Sequence, residues 1–493
     1  MRRSKGLPSS HRCSVLFLLA LGLGVSMVSQ AVPINVDVST LTGTSTLSEV
    51  SIDINPSNPK NRVIISHGGD LKSMATFYTL DNGQSWAQVA LGNTLDKQPA
   101  TATRFDPTIT FDRAGNLYVA YGVNDGTNTS IWVAKSTDGG KTFAAHLVDT
   151  QANIGSVVGN DKWQLTTGPN KQDPTKDNVY IAWNRLLPTG TAGSYKTPVM
   201  LAASQDGGTT WGTKTQVSAP SSDLKANWFA EPAVNKDGTV YVSWHSRTDK
   251  AVWIATSTDA GASFGASQKV ADINSKFVNS APGSAVGAFV KIRAQPDRGV
   301  FVGPTLDTDR STGKFKNRIY EAYVDLTGDY VFGSKENTDI LVKYSDDNGK
   351  TWSTGVKVND DTGSNSQFLP WLDVDPTTGV VGALWYDARN DINNTLVDVY
   401  GAFSYDGGAT FSKNFLYSSS ASAPSQYGGN YLEYIGLAGY KGQFCGAWSK
   451  SIAGSSNLDI ITSCVPEPSS IALFVIGMMV LLQSQFRRRN LSM

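Results

Sequence analysis

Two hydrophobic patterns repeat along the chain, and both read as β-structure. The first is a short, mostly apolar run that ends on an aromatic residue or a histidine. It closes at His67, Tyr121, Trp183, Trp244, Tyr323, Trp385 and Trp448. β-Branched and aromatic residues over five or six positions favour strands. The second pattern follows each of the first six runs and reads Ser/Thr-x-Asp-x-Gly-x-Ser/Thr-Trp/Phe. Its copies run from Thr79 to Trp86, Ser136 to Phe143, Ser204 to Trp211, Ser257 to Phe264, Ser345 to Trp352 and Ser404 to Phe411. Each residue type has a turn role. The Asp carboxylate accepts loop N–H groups, the glycine takes positive φ, the hydroxyl closes the loop, and the aromatic ring starts the next strand in the core.

The second pattern resembles the Asp-box, or BNR, repeat of sialidase-like β-propellers, and the resemblance covers roughly residues 34–464. It implies an all-β fold of four-stranded blades around an axis. The aromatic-ended run is then strand b, and the box joins strands c and d. Turn signals before strand b, such as Asn55–Pro59, Asp112–Gly115 and Asp375–Gly379, fit an a–b hairpin. The seventh unit lacks a box. An alternating run, Pro33–Thr40, can supply its outer strand and remove a sheet edge. This predicts a seven-bladed β-propeller closed by the N-terminal strand. The alternative is six blades with a C-terminal appendage.

The two ends read as sorting signals. Arg2, Arg3, Lys5 and Arg12 precede the apolar stretch Val15–Val25 and a small-residue site at Ser29-Gln30-Ala31, the order of a secretory signal peptide over residues 1–31. At the other end, Val465-Pro466-Glu467-Pro468 leads into the apolar run Ile471–Leu482 and then Arg487, Arg488 and Arg489. This resembles the PEP-CTERM sorting signal of Gram-negative bacteria, over 465–493. It implies an exosortase-type peptidase as partner, transient anchoring by a short transmembrane segment, and a destination at the cell surface or in the extracellular matrix. The domains are therefore 1–31, 32–464 and 465–493.

Composition agrees with export. Charged residues are 17%, against about 25% in an average globular protein, and aromatic residues are 10%. Lys plus Arg and Asp plus Glu are 42 each. Without the two ends, acidic residues outnumber basic ones by six. That excludes nucleic acid as a partner, which needs a basic footprint. Cys445 and Cys464 remain in this body, flanking a hairpin. They either form a disulfide in an oxidising compartment or stay as buried thiols.

Chain direction puts the a–b and c–d connections on one face. The box residues Asp81, Asp138, Asp206, Asp259, Asp347 and Asp406 are therefore structural. The opposite face collects His67, Asp106, Asp161 and Glu433, with the candidate catalytic residues Arg185, Arg247, Arg389, Asp387, Glu231 and Tyr434. Arg104, His245, Trp163, Trp228 and Trp371 are candidate substrate-binding groups, since arginine grips carboxylates and aromatic faces stack on sugars. The connection from Asp272 to Arg298 should project over this mouth. Sialidases hold a substrate carboxylate with three arginines and use a Tyr nucleophile, so the resemblance implies a possible triad of Arg185, Arg247 and Arg389. Their Phe/Tyr-Arg-Ile-Pro motif is absent: Ala102–Pro107 does not match it. The nucleophile stays open among Tyr386, Tyr427 and Tyr434. The expected function is carbohydrate binding on the face opposite the boxes. The alternative is an exo-sialidase, or another hydrolase or lyase of acidic glycans, so catalysis stays open. No cofactor is expected. No metal is expected either: Asp307–Gly313 starts like a calcium loop, yet Arg318 stands where the terminal Glu should be.

Overall fold

The structure, a computed structural model, describes residues 34–467 apart from 44–45, 190–194, 219–225, 277–289, 419–420, 423–430, 432 and 452–456. The predicted signal peptide, the apolar C-terminal run with its arginines, and Tyr427 lie outside the described residues. Among those residues, no helix is long and apolar enough to cross a membrane.

Seven four-stranded antiparallel sheets form the blades of a propeller. The six boxed blades have strands b at Arg62–His67, Leu117–Asn124, Asp177–Arg185, Val240–Ser246, Ile319–Leu326 and Val381–Asp387. Blade seven is built from Gly436–Tyr440, Gln443–Ser451 and Leu458–Pro466, with Val36–Asp37 as its outer strand. Val36 pairs with Thr462 and Asp37 with Ile461. The N-terminal strand thus closes the ring, which settles seven blades over six. It is shorter than the alternating run suggested, because Ser39–Leu41 turns into a 3-10 helix. The amide of Val38 still donates to Ile460.

The aromatic ends of strands b lie between blades. Trp183 and Trp385 are fully buried, and Trp244, Tyr323 and Trp448 nearly so. Cys445 sits opposite Cys464 on neighbouring strands, and the two are joined by a disulfide.

Each Asp box closes as its residue types dictate. In the second, Asp138 accepts the Ser136 hydroxyl at 2.8 Å, the Lys141 and Thr142 amides at 3.0 Å, and the Thr142 hydroxyl at 2.6 Å. The boxes touch the a–b turns of the preceding blade. Asn61 donates to the Gly139 carbonyl and Arg318 to that of Gly407. Boxes and a–b turns therefore share one face, as chain direction requires.

One feature of strand a was not legible beforehand. Its register slips between Phe105 and Thr108, Asp161 and Gln164, Trp228 and Glu231, and Phe368 and Trp371. Each bulge places a non-glycine residue in the left-handed region: Asp106 at φ 50°, Lys162 at 54°, Phe229 at 57° and Leu369 at 51°. Glu49 at 56° and Gly303 at 52° lie at matching points just before strands a of blades one and five. A left-handed residue other than glycine costs about 1 kcal/mol, so five such positions, with Gly303 as the sixth point of the series, mark a built element. Bulges re-aim side chains, and here they form the waist of the central channel.

Candidate functional site

Three charged residues of this waist, Glu49, Asp106 and Lys162, come from consecutive blades and meet on the mouth side. The Lys162 ammonium lies 2.9 Å from Asp106, 3.7 Å from Asp161, and in direct contact with Glu433 of blade seven. Nε2 of His67, the last residue of strand b in blade one, is 2.6 Å from Glu49. The Asp106 amide lies 3.0 Å from the same nitrogen. The Tyr434 hydroxyl donates to Asp106 at 3.4 Å. Arg298, from a two-stranded ribbon (Val290–Ile292 with Gln295–Val300), reaches over the cluster and pairs with Glu433. Apart from Arg298, every one of these side chains is nine-tenths buried or more.

Burial shapes the electrostatics. It pushes Asp106 well above the usual carboxylate range, against the opposing charge of Lys162, and Glu49 and Asp161 add to the rise. Burial would raise Glu49 as well, but the facing His67 overrides it by charge and hydrogen bond, and Glu49 stays well below its ordinary value. Burial would lower Lys162, yet the charges of Asp106 and Asp161 hold it well above its own. The site therefore combines a carboxyl that burial biases toward its neutral form, Asp106, a strongly acidic one, Glu49, and a cation, Lys162, held charged by its neighbours. Glu49, His67 and Asp106 offer three ligand atoms within 4.8 Å. The ammonium already seated on Asp106 supplies the positive charge a metal ion would bring, so the group fits a cation–carboxylate network better than a metal centre.

Two of the expected site residues belong to this cluster. Tyr434 stands beside Asp106. Trp163 is its buried support, donating from Nε1 to the Asp106 carbonyl at 2.6 Å. Gly122 leaves room for that indole, since a Cβ there would lie 2.1 Å from it.

Others are placed elsewhere. Arg104 is fully buried and forked onto Asp96 by two 2.8 Å bonds, an internal brace rather than a sugar contact. The three arginines of the expected triad do not share a ligand. Arg185 pairs with Asp149 at 2.6 Å. Arg389 pairs with Asp387 at 2.7 Å and Asp360 at 2.6 Å while lying over Tyr400. Asp387 is fully buried and also accepts the Trp385 indole, so it is a strut, not a free acid. Arg247 neighbours His245, whose imidazole is pushed down to about 3 by burial first and then by that guanidinium. Trp228 is buried opposite His245 on the adjacent strand. Tyr386 is sealed, donating to the Ser449 carbonyl. Glu231 and Trp371 face a separate axial cavity on the other side of the waist. Glu49, Lys162 and Arg298 were missed by sequence reasoning. The repeated charged position at the start of strand a was the one available signal for the first two.

The BNR/Asp-box repeat family matches residues 343–354, which span the fifth box. No curated protein matches the chain. Among solved structures, the chain is similar to an α-L-arabinanase of Penicillium chrysogenum complexed with arabinobiose, at 11% identity and TM-score 0.46, covering 89% of this chain and 98% of that one. It is also similar to the Hadza microbial sialidase Hz136, at 14% identity and TM-score 0.44, over 82% of this chain and 73% of that one. A PL25 ulvan lyase is similar at 12% identity and TM-score 0.48, over 89% and 96% respectively.

Proposed function

We propose that the protein is an exported, surface-sorted propeller that binds carbohydrate at the mouth opposite its Asp boxes. One observation supports this most. Charged groups from blades one, two, three and seven meet at the axis, with donors in Lys162 and Arg298 and acceptors in Glu49 and Glu433. A polyhydroxylated ligand needs both, and the aromatic faces of Phe229 and Tyr434 border the same cluster. Surface sorting through an exosortase-type peptidase belongs to the same proposal. Glu467 donates its amide to Gly442, in the a–b turn of blade seven. A C-terminal tether would then leave from the Asp-box face and hold the mouth away from the membrane.

A second reading, a hydrolase or lyase of acidic glycans, is favoured by one pairing. Asp106, a carboxyl raised by burial, stands 3.4 Å from the Tyr434 hydroxyl. Such a pair can hold and move a proton. The separated arginines do not support sialidase chemistry.

The test uses the full-length chain on an array of neutral and acidic glycans, with the same panel assayed for chain cleavage. Binding without cleavage, weakened in Glu433→Gln, supports the binding module. Cleavage lost in Tyr434→Phe supports the enzyme. Neither binding nor cleavage on the whole panel overturns both.

A further inference from the structure

Below the waist, the inner strands enclose an axial cavity of about 650 Å³ that opens among the a–b turns on the Asp-box side. Only a gap of about 20 Å³ lies between it and the mouth cluster, where the stacked rings of Phe229 and Phe301 fill the axis. Its wall carries Asp53, Glu231, Asp307 and Asp373, with Trp371 and Arg310, while Arg113, Asp177 and Lys236 line its opening. Three of the carboxylates are partly committed. Asp53 accepts the amide of Phe111 at 2.7 Å, Asp307 that of Val374 at 2.8 Å, and Asp373 that of Gly439 at 2.6 Å. Each therefore ties its blade to the next.

Glu231 is different. It is 9% exposed, lines the cavity, and has no hydrogen-bond partner among the described residues. Behind it, Glu321 is fully buried, with Oε1 on the Ser243 hydroxyl and Oε2 unpartnered. Structural carboxylates in an interior are paired, so an unpartnered carboxyl on a cavity wall calls for something in the cavity. The charges are unbalanced. Arg310 spends one nitrogen on the Thr167 carbonyl, and its charge acts on Asp53, Asp307 and Asp373 but not on Glu231. At the opening, Arg113 is taken up by Asp177, and Lys236 bonds the Ser311 carbonyl.

The geometry points to a second ligand site in this cavity, for a small cation that carries its own hydrogen-bond donors. A hydrated divalent metal ion and an organic ammonium share that chemistry. The carboxyl groups ring the cavity without converging: among the described residues, only the mouth group brings three ligand atoms within 4.8 Å. A bare ion would find no inner coordination shell here, whereas water or ammonium hydrogens can span the gap to Glu231. Burial, with the charge of Asp307, raises Glu231 well above its ordinary value, as expected of a carboxyl with no cation beside it.

Titration calorimetry of the full-length chain at neutral pH tests this, with magnesium chloride in one arm and putrescine dihydrochloride in the other. Saturable binding at or below about 10 mM is expected in one arm, and the arm that responds identifies the source of the charge. Glu231→Gln, which keeps shape, should weaken it about tenfold. Arg310→Gln should tighten it about threefold by removing the resident positive charge, a gain that misfolding cannot imitate. Absence of saturable binding in both arms, or affinity unchanged in both variants, overturns the proposal. Neither outcome bears on glycan binding at the mouth.

Discussion

The ammonium of Lys162, on the inner strand of blade three, lies 2.9 Å from the carboxylate of Asp106 on that of blade two. Both residues occupy left-handed bulges, and both are nine-tenths buried. The same ammonium contacts Glu433 of blade seven. One side chain therefore neutralises acidic groups contributed by separate blades. Removing it strands several carboxyl groups in the protein interior.

Lys162→Met should accordingly destabilise the protein by about 3–5 kcal/mol, the range for breaking a buried pair from one side. Urea unfolding measures it. Adding Asp106→Asn should recover part of the loss, because the neutral amide no longer needs a cation. A double-mutant cycle with no coupling between the two sites would show that they do not act as a unit.

The inner carboxyls make stability fall as pH rises. Burial pushes Asp53 up to about 6 from an ordinary 3.8, against the hydrogen bonds from Phe111 and Ile54. Between those values the folded chain holds a proton that the unfolded chain has released. The contribution is therefore fully present below pH 4 and is lost as pH climbs through 6. The shift corresponds to about 3 kcal/mol. Asp325, also raised to about 6 by burial, acts in the same direction. Urea midpoints between pH 4 and 7, in buffer with monovalent salt only, should decline for the wild type. Asp53→Asn should flatten the slope, and an equal slope in that variant would refute the assignment.

The box aspartates work in another window. Hydrogen bonds from the Ser85 hydroxyl and amide, then from the Thr79 hydroxyl, hold Asp81 down at about 2. What they stabilise is lost only as pH falls below 4. Asp138→Ala removes four such bonds from a surface hairpin. It should cost about 1–2 kcal/mol, as loss of a helix cap does. Thermal unfolding checks the cost. Glycan binding at the mouth should not change, because the boxes lie on the other face.

The sequence made the blades legible because their signals are local. Ser136, Asp138, Gly140 and Thr142 lie within seven positions, and their roles follow from turn chemistry alone. The b strands announce themselves by their buried aromatic ends. The site was legible only in part. Chain direction grouped His67, Asp106, Asp161, Glu433 and Tyr434 on one face, and in the structure they meet in one cluster. Nothing local distinguishes Asp106, which reaches the axis, from Arg104 two positions earlier, which is sealed onto Asp96. That distinction comes from a register slip after Phe105, and register is fixed by packing of one blade against another. The arginine triad failed for a related reason. Arg185 is taken up by Asp149, 36 positions away, and Arg389 is divided between its neighbour Asp387 and Asp360, 29 positions away, so each guanidinium is spent within its own part of the ring.

The closure strand offers the sharpest test of the ring. Val38 is 1% exposed and donates to Ile460, the Leu47 amide donates to Leu458, and Asn35 reaches the Tyr417 carbonyl of blade six at 2.7 Å. A chain lacking residues 34–41 but retaining residues 1–33 loses the first and third of these. It also opens the outer edge of strand Leu458–Pro466 at Ile460–Thr462, where the closure strand had paired. Open edges recruit other strands, so the truncated chain should self-associate on size-exclusion chromatography. Its unfolding free energy should fall by more than about 3 kcal/mol, from the lost apolar burial and ladder bonds. The disulfide between Cys445 and Cys464 would persist, since it joins two strands that remain. A monomer with an unchanged unfolding midpoint would mean that blade seven stands without its borrowed strand. Closure would then contribute nothing to holding the waist cluster of Glu433 and Lys162 together.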